Sequence, residues 1–420
     1  MTTPYNTVGT ARDETGNPWR HVVAGFIALV FGVNIVPVMF NLLGVPFIAE
    51  FGWTRPQISN GLALFTFCDG LSMLAVGALV DRRGIKSVVP MAMAFGGGLI
   101  LLTLIPGQIE WFYALCAVIG LGAGAVAPTV YSIVITAWFD TRRGLALGIL
   151  NVGLGLCGAL MPFLLSTILR TEGWRAAMMI VGGISMLLAL ANLLFVLCMP
   201  PAWEKDRRAA RGHGTVAGPS LISLARSKHL WLVCLSIFFV SAATYGLLAQ
   251  LVLVTTDRGI AMSVSLAALS TISMSSVGSR IVVGALLDRI FAPLLAGVIF
   301  VLTAAGVLLL NHTHGASGVY LAALLVGVGL GAEGDIAAYI LSRYVPRASY
   351  GRAFGLVMFL FAQGGGLGVF VLGKSYGLLG SYTAALYLIV ALVLVAAVCI
   401  SLLGPYLYSV SHTADTSQSS

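Results

Sequence analysis

The sequence predicts an all-α membrane protein of twelve transmembrane helices, arranged as two pseudo-symmetric six-helix bundles. Of its 420 residues, 59% are hydrophobic and only 9% are charged, whereas ordinary soluble domains carry roughly 25% charged residues. Apolar runs of about 20 residues, the length that crosses a bilayer as a helix, recur along the whole chain. One pattern of residues also occurs twice, at a constant separation.

The repeat consists of three segments that share one offset, 284 − 77 = 207 positions. The stretch GALVDR at 77–82 returns as GALLDR at 284–289. The stretch GLGAGA at 120–125 returns as GVGLGA at 327–332, and the G-x-A-x-G spacing that begins at Gly144 returns at Gly351. Two parallel halves in so apolar a chain are typical of a membrane transporter.

Each apolar run is expected to be a helix, because the lipid core has no water and a helix satisfies its own backbone hydrogen bonds. Short segments of alternating hydrophobicity, which would indicate a membrane β-barrel, are not visible. The predicted helices cover residues 21–45, 59–80, 88–107, 111–136, 144–168, 175–198, 229–254, 262–287, 292–311, 316–342, 352–374 and 381–404.

Polar segments divide the chain into five predicted regions. Residues 1–20 form an N-terminal tail without the apolar core of a cleavable signal peptide. The N-terminal bundle, 21–198, and the C-terminal bundle, 229–404, are joined by a charged, glycine-containing linker at 199–228. Residues 405–420 form a polar tail that we expect to be disordered.

The basic residues predict the orientation. Of 23 lysines and arginines, 17 lie in the tails and loops that are inside if the N-terminus is cytoplasmic, five lie outside, and Arg280 lies within a helix (17 + 5 + 1 = 23). This bias places both termini in the cytoplasm and the protein in the plasma or inner cell membrane. The net charge of +8 is then explained by topology and by contact with anionic membrane lipid, and no nucleic-acid partner is expected.

The segment 77–86, GALVDRRGIK, resembles the loop between helices two and three of major facilitator superfamily transporters. The resemblance covers essentially the whole chain and implies the major facilitator fold, with alternating access. It assigns gating roles to Gly77, Asp81, Arg82 and Gly84, and the repeat extends them to Asp288 and Arg289. Asp81 can face the N-terminus of a neighbouring helix or an arginine, and so close the cytoplasmic side. The alternative is a loop that only sets topology.

Two further segments resemble the monocarboxylate transporters and the related oxalate/formate exchangers. Residues 138–148, which contain Arg142 and Arg143 as further gating candidates, are similar to the fifth-helix signature of that family. Arg280, four residues before a glycine, resembles the arginine of the eighth helix that binds the substrate carboxylate. The chain departs from the animal members at Ser276, where they have aspartate, and at Val38, where they have lysine after a proline.

Four charged residues lie in the interior of the predicted helices and cannot be assigned to loops: Asp69, Arg280, Glu333 and Asp335. An ionised group at membrane depth costs about 2.5 kcal/mol or more, so such residues are functional candidates. At 1.5 Å per helical residue, all four lie roughly 12 to 18 Å from the cytoplasmic end. None of them recurs at the repeat offset, which indicates a function that the two halves do not share.

Arg280 is the predicted anion-binding residue, because its guanidinium stays charged and fits a carboxylate with two hydrogen bonds. Ser276 lies one helical turn before it. The alternative is a permanent ion pair with Asp69 or Glu333. Polar or aromatic residues on other helices are substrate-pocket candidates, and each is also compatible with simple packing: Asn34, Tyr131, Tyr245, Phe359 and Gln363.

The acidic residues are the predicted proton-coupling groups. Apolar neighbours favour the protonated form of Asp69, so it can load a proton outside and release it inside; the alternative is a hydrogen bond between packed helices. Glu333 and Asp335 are predicted to be counter-ions that hold Arg280 when no substrate is bound, or an alternative proton site. The rival prediction pairs them with Arg343 or Arg347 as a cytoplasmic latch.

The predicted function is secondary transport of a small organic monoanion such as lactate or pyruvate, coupled to a proton, by a monomer. One central cation suits one carboxylate. No cofactor or metal is expected, because the six cysteines form no CxxC pair. The sequence contains no GxxxxGK[ST] motif, so transport driven by ATP is not expected. It also lacks a cluster of catalytic residues, so an enzyme is not expected. The alternatives are an anion exchanger, a drug exporter or a membrane sensor that binds carboxylates without moving them.

Overall fold

The computed structural model describes residues 17–139, 142–201, 203, 226–346 and 349–408. These residues form helices joined by short turns. Most of both predicted tails, almost all of the predicted linker, and Arg347 lie outside the described residues.

Fourteen α-helices are numbered here in chain order within the described residues. The first eight are α1 Trp19–Val30, α2 Ile35–Phe51, α3 Arg55–Arg83, α4 Val89–Leu101, α5 Ile109–Ala123, α6 Pro128–Trp138, α7 Arg143–Thr171 and α8 Gly173–Ala191. The other six are α9 Lys228–Thr256, α10 Met262–Leu287, α11 Ala292–His312, α12 Ala316–Tyr344, α13 Tyr350–Leu379 and α14 Thr383–Ser401.

The predicted all-α membrane fold class is confirmed. The described residues contain 11 helical segments that are long and apolar enough to cross a membrane, and α7 contributes a shorter apolar stretch, Arg143–Gly158. These eleven spans and α7 agree with the twelve predicted helices. The cytoplasmic position of the termini stays a prediction from the charge distribution.

Two spans predicted as continuous helices, 21–45 and 111–136, are each broken in the structure. The first is interrupted between Val30 and Ile35, just before Pro37, which has no N–H to donate to the preceding turn. The second passes through a 3-10 turn, Gly124–Val126, before Pro128 starts α6. Pro128 follows a residue, Ala127, that is extended, as proline favours. Pro37 instead lies in the first turn of α2, where its missing N–H leaves no intrahelical hydrogen bond unmade.

The two breaks lie against each other in the N-terminal half. A Cβ added to Gly32 in the first break would lie 2.6 Å from the carbonyl oxygen of Val126 in the second. The Ser72 hydroxyl of α3 accepts a hydrogen bond from the backbone N–H of Gly124 at 2.8 Å and donates one to the carbonyl of Asp69 at 2.8 Å. The polar backbone exposed by the second break is therefore satisfied by the helix that carries Asp69.

We expect Gly32→Ala to destabilise the protein by about 1–3 kcal/mol, because the new methyl group must push two backbones apart. Gly97→Ala is the matched control, since a Cβ at Gly97 on α4 meets nothing within 4 Å. Thermal unfolding of the detergent-purified variants measures both. Equal melting temperatures for the two variants would show that the breaks tolerate separation.

The N-terminal helices α1–α8 meet the C-terminal helices α9–α14 mainly through two pairs, α3 with α13 and α7 with α10. Smaller contacts join α6 and α7 to α12. The two main pairs are equivalent by the repeat: α3 and α10 carry the copies of GALxDR, and α7 and α13 carry the copies of G-x-A-x-G. We call this interface between the two halves the seam. The helices that form it carry the charged residues Asp69, Arg280, Glu333 and Asp335.

Candidate functional site

Arg280 is a buried cation on α10, with 8% of its surface exposed. In the described part of the chain it forms no ion pair within 4.0 Å, and its Nε atom has no hydrogen-bond partner. Its backbone carbonyl packs against Gly148 of α7 so closely that an added Cβ there would overlap the oxygen. The permanent ion pair with Asp69 or Glu333 that the sequence left open is not formed in this structure.

Glu333 and Asp335 lie on α12 with 1% and 0% exposure, and both are within electrostatic range of Arg280. Each is hydrogen-bonded elsewhere. Glu333 accepts from the Thr244 hydroxyl, whose oxygen lies 3.0 Å from Oε2. Asp335 Oδ1 accepts from the Asn151 amide at 2.5 Å, and its Oδ2 has no partner. The two acids thus surround Arg280 without contacting it.

Arg343, proposed from the sequence as an alternative partner for these acids, lies in aromatic surroundings. It donates a hydrogen bond to the Tyr339 hydroxyl at 3.2 Å, and its guanidinium lies over the rings of Tyr339 and Tyr406 at 5.2 and 5.7 Å. Arg347 lies outside the described residues.

Tyr245 on α9 lies near charged residues of both halves. It is within electrostatic range of Glu333, Arg280 and Asp69. Its side chain is nevertheless 37% exposed, and its ring packs edge-on against Phe361 at 5.3 Å. Tyr245 is thus a partly exposed aromatic side chain close to all three charged groups.

Asp69 on α3 lies on the opposite side of the seam from the α12 acids. It is 9% exposed, and its Oδ1 has no hydrogen-bond partner among the described residues. A Cβ on the next residue, Gly70, would lie 3.0 Å from the Gln363 amide nitrogen and 3.3 Å from the Phe359 ring. The structure therefore brings Asp69 to the same level as two of the predicted pocket residues of α13.

The other predicted pocket residues have different surroundings. Asn34 is exposed and lies in the first helix break. Tyr131 is 1% exposed, and it packs against Gly25 of α1. Ser276 is buried beside Gly331 of α12. Tyr131 and Ser276 thus lie in helix-packing contacts, and Asn34 is the accessible member of the three.

Asn151 and Thr244, which bind the two acids of α12, were not among the predicted site residues. Asn151 lies three residues after the segment 138–148 that resembles the fifth-helix signature. The sequence does contain a signal that could have identified them, because both are polar residues in the middle of predicted apolar helices. The repeat places Met358 and Pro37 at the equivalent positions (151 + 207 = 358; 244 − 207 = 37), so neither side chain is duplicated.

The gating candidate Asp81 contacts the N-terminus of α13, across the seam. Its carboxylate accepts hydrogen bonds from the backbone N–H groups of Gly351 at 3.1 Å and Arg352 at 2.8 Å. The Arg352 guanidinium adds an ion pair, with Nε 3.2 Å from Oδ2 and both side chains 2% exposed. Gly77 packs directly on the Gly351 carbonyl, one turn earlier. We call this group the Asp81 contact.

Asp288 makes the equivalent contact in the second copy, here called the Asp288 contact. Its carboxylate accepts from the backbone N–H groups of Gly144 at 2.9 Å and Leu145 at 3.1 Å, at the N-terminus of α7. The repeat relates Leu145 to Arg352 (145 + 207 = 352). The two contacts therefore share their backbone hydrogen bonds, and only the Asp81 contact includes a guanidinium from the equivalent position.

The remaining gating candidates lie around these contacts. Arg143 is 3% exposed and donates to the Phe139 carbonyl at 2.7 Å and to the Ser342 hydroxyl of α12 at 2.7 Å, so it also crosses the seam. Arg142 has a left-handed backbone conformation, φ 60°, immediately before α7. Gly84, with φ 88°, ends α3. Arg82 and Arg289 are exposed.

The site has the organisation of a membrane transporter: charges at a seam between two repeated halves, and backbone contacts that close one end. Residues 22–369 match the sequence model of the Major Facilitator Superfamily. The chain belongs to the major facilitator superfamily. It is accordingly a multi-pass membrane protein and a transporter. Within the described residues, no three His, Cys, Asp or Glu side chains are grouped to hold a metal ion.

Curated relatives of this transporter include carboxylate carriers. Monocarboxylate transporter 11 of Homo sapiens is 25% identical over 392 residues, which cover 90% of this chain and 81% of that protein. The oxalate:formate antiporter of Oxalobacter formigenes is 26% identical over 290 residues, 67% of this chain and 66% of the antiporter. Among solved structures, the fucose:proton symporter of E. coli has a TM-score of 0.74 at 14% identity, covering 92% of this chain and 98% of the symporter. This last likeness shows the fold alone.

Proposed function

We propose that this transporter moves a small monocarboxylate together with a proton, by alternating access to a central site at Arg280. The observation that carries the proposal is a buried guanidinium that forms no ion pair within the described structure, although two carboxylates lie within electrostatic range. A buried charge without a contacting counter-ion is costly. A carboxylate substrate would supply that counter-ion, with two charge-assisted hydrogen bonds.

The charge of the site favours one carboxylate over two. Arg280 is the one basic residue that the described helices place beside Tyr245 and the acids of α12. A dicarboxylate would leave its second charge near Glu333 and Asp335. Aromatic side chains at the same seam, Phe359 and Phe361, suit a short apolar tail, as in lactate or pyruvate.

Asp69 is the proposed proton carrier, because it is buried and its Oδ1 is not engaged by another described residue. Glu333 is the alternative carrier, although the Thr244 hydroxyl already hydrogen-bonds to it. Protonation of either acid would offset the negative charge that the substrate brings to the seam. Proton entry and anion binding would then favour each other.

Anion exchange without a proton is the second candidate function, and the relative named as an oxalate:formate antiporter favours it. An exchanger would move substrate only when a counter-substrate is present on the other side. The two candidates share Arg280 as the binding residue and differ in the role of Asp69.

Uptake of a panel of radiolabelled acids into proteoliposomes tests the proposal. The panel contains lactate, pyruvate, formate, oxalate and benzoate, and each is measured with and without an inward proton gradient. We expect a monocarboxylate to accumulate only with the gradient, and oxalate not to accumulate. Uptake that depends on internal counter-substrate and ignores the gradient would establish exchange. Binding in detergent without any flux would establish a sensor.

The Asp69→Asn variant identifies the proton carrier in the same assay. We expect it to lose gradient-driven accumulation but to retain exchange of labelled for unlabelled acid, because exchange requires no net proton movement. Glu110→Gln, at the outer start of α5, is the matched control for loss of a carboxylate. Accumulation by Asp69→Asn with an unchanged pH dependence would remove Asp69 from this role.

A further inference from the structure

The hydrogen bond between Asn151 and Asp335 crosses the seam at the level of the anion site. Along α7, four residues at spacings of four, three and four contact the C-terminal half: Gly144 at Asp288, Gly148 at Arg280, Asn151 at Asp335, and Gly155 at Val277. These spacings place them on one helical face. Three of the four are glycines, so Asn151 is the member that reaches across with a side chain.

This hydrogen bond is not repeated in the other half. The offset of 207 relates Asn151 to Met358 and Asp335 to Pro128, and neither can form such a bond. The Asp81 and Asp288 contacts, by comparison, are made in both halves. The Asn151–Asp335 hydrogen bond occurs in one half only, and its place beside Arg280 suggests a role at the site.

The hydrogen bond restrains one oxygen of a carboxylate that would otherwise be attracted to Arg280. Asn151 Nδ2 lies 2.5 Å from Asp335 Oδ1, whereas Oδ2 and the Arg280 Nε have no hydrogen-bond partners in the described structure. The two charged groups interact electrostatically but form no ion pair. While Asn151 is hydrogen-bonded to Asp335, the Asp335 carboxylate and the Arg280 guanidinium could therefore each form a further hydrogen bond.

We propose that Asn151 is a positioning residue that keeps Asp335 away from Arg280 while the cytoplasmic end is closed; this inference rests on the proposed function. Arg280 is then available to a substrate carboxylate that enters from outside. When the halves separate at the cytoplasmic end, α7 withdraws from α12 and Asp335 loses the Asn151 amide. Asp335 then pairs with Arg280 and displaces the substrate into the cytoplasm.

The exchange of one carboxylate for another explains how a tight site can also release its ligand. Arg280 keeps a carboxylate partner after the substrate leaves, so an uncompensated buried charge is avoided on release. The Thr244 bond to Glu333 differs in one respect, because α9 and α12 lie in the same half and need not separate. Glu333 therefore stays restrained in both states. Thr255→Val serves as the matched control: it removes a buried threonine hydrogen bond within the same half, to the Ser265 hydroxyl at 2.7 Å, about three turns along α9 from Thr244.

The test compares Asn151→Leu, Asp335→Asn and the double variant in proteoliposomes, with the acid that wild type transports best. Asn151→Leu should raise the KM for uptake from outside about tenfold, equivalent to about 1.4 kcal/mol, because Asp335 now competes at Arg280. Asp335→Asn should lower both KM and turnover, since substrate release slows. The Asn151→Leu substitution should leave KM unchanged on the Asp335→Asn background, and Thr255→Val should leave the wild-type KM within about twofold.

An equal rise in KM on both backgrounds would overturn the proposal, because it would show a packing role for Asn151. Asn151→Ala is the second variant if leucine prevents folding. A ligand-free readout separates this inference from the proposed function: the rate at which phenylglyoxal modifies Arg280, measured by mass spectrometry of its peptide. We expect slower modification in Asn151→Leu than in wild type, restored in the double variant. No difference would overturn the inference, whereas absence of acid flux in wild type would overturn the proposed function.

Discussion

Replacement of Arg280 by alanine is expected to reduce carboxylate uptake by about a hundredfold. Two charge-assisted hydrogen bonds to a buried carboxylate are together worth about 3 kcal/mol, and alanine removes both. Folding should be less affected than transport, because the guanidinium forms no ion pair in the described structure. Initial rates of uptake, normalised to protein that elutes as a single species, measure the effect.

Arg280→Lys should retain part of the activity, since lysine keeps the charge but cannot form the paired hydrogen bonds. Arg343→Met is the matched control, because Arg343 has the same 8% exposure but interacts with Tyr339 and Tyr406 instead of the α12 acids. Loss of a buried arginine alone would impair both variants equally. Full uptake by Arg280→Ala would remove Arg280 as the anion site.

The fold class could be predicted from sequence because the bilayer imposes simple rules. Length and apolarity identify spans, and the repeat identifies two halves, without knowledge of any contact between helices. The helix breaks at Gly32 and Gly124 are not visible in the apolar runs, because hydropathy is continuous through 21–45 and 111–136. Whether a proline kinks or breaks a helix depends on whether a neighbouring helix can bond the backbone groups that a break leaves free. Here the Ser72 hydroxyl of α3 accepts a hydrogen bond from the Gly124 N–H.

The charged residues of the candidate site could also be predicted, because an ionised group within an apolar helix has few structural explanations. Their partners could not. Asn151 and Thr244 are ordinary polar residues until packing places them beside Asp335 and Glu333. Conversely, Tyr131 is no different in sequence from a pocket residue, and only packing shows that it is 1% exposed.

We expect Asp81→Asn to impair transport more than Asp288→Asn, although the repeat makes the two residues equivalent. Both substitutions weaken charge-assisted hydrogen bonds to two backbone N–H groups, at a cost of about 1–3 kcal/mol. Asp81→Asn also removes the carboxylate that the buried Arg352 guanidinium contacts at 3.2 Å. Losing the carboxylate of this buried ion pair adds a further cost to the closed state.

The consequence is a shift in the conformational equilibrium. Under the proposed alternating-access mechanism, a cost that applies only when the two contacts are made favours the state in which that end, the predicted cytoplasmic end, is open. About 1.4 kcal/mol changes the ratio of the two states tenfold. Asp81→Asn should therefore spend little time open to the outside and lose most of its uptake. Asp288→Asn should retain a measurable rate.

Hydrogen exchange at the two helix starts can distinguish this shift from general destabilisation. Asp81→Asn should accelerate exchange at residues 350–355, at the start of α13, and because the two contacts close one seam, also at residues 143–148. Asp288→Asn should produce the same pattern with smaller amplitude. Acceleration confined to the mutated contact would show that the two contacts open independently, and equal transport by the two variants would show that the Arg352 ion pair contributes nothing to closure. The Asp81 and Asp288 contacts share their backbone hydrogen bonds, so unequal phenotypes would measure what the Arg352 guanidinium contributes.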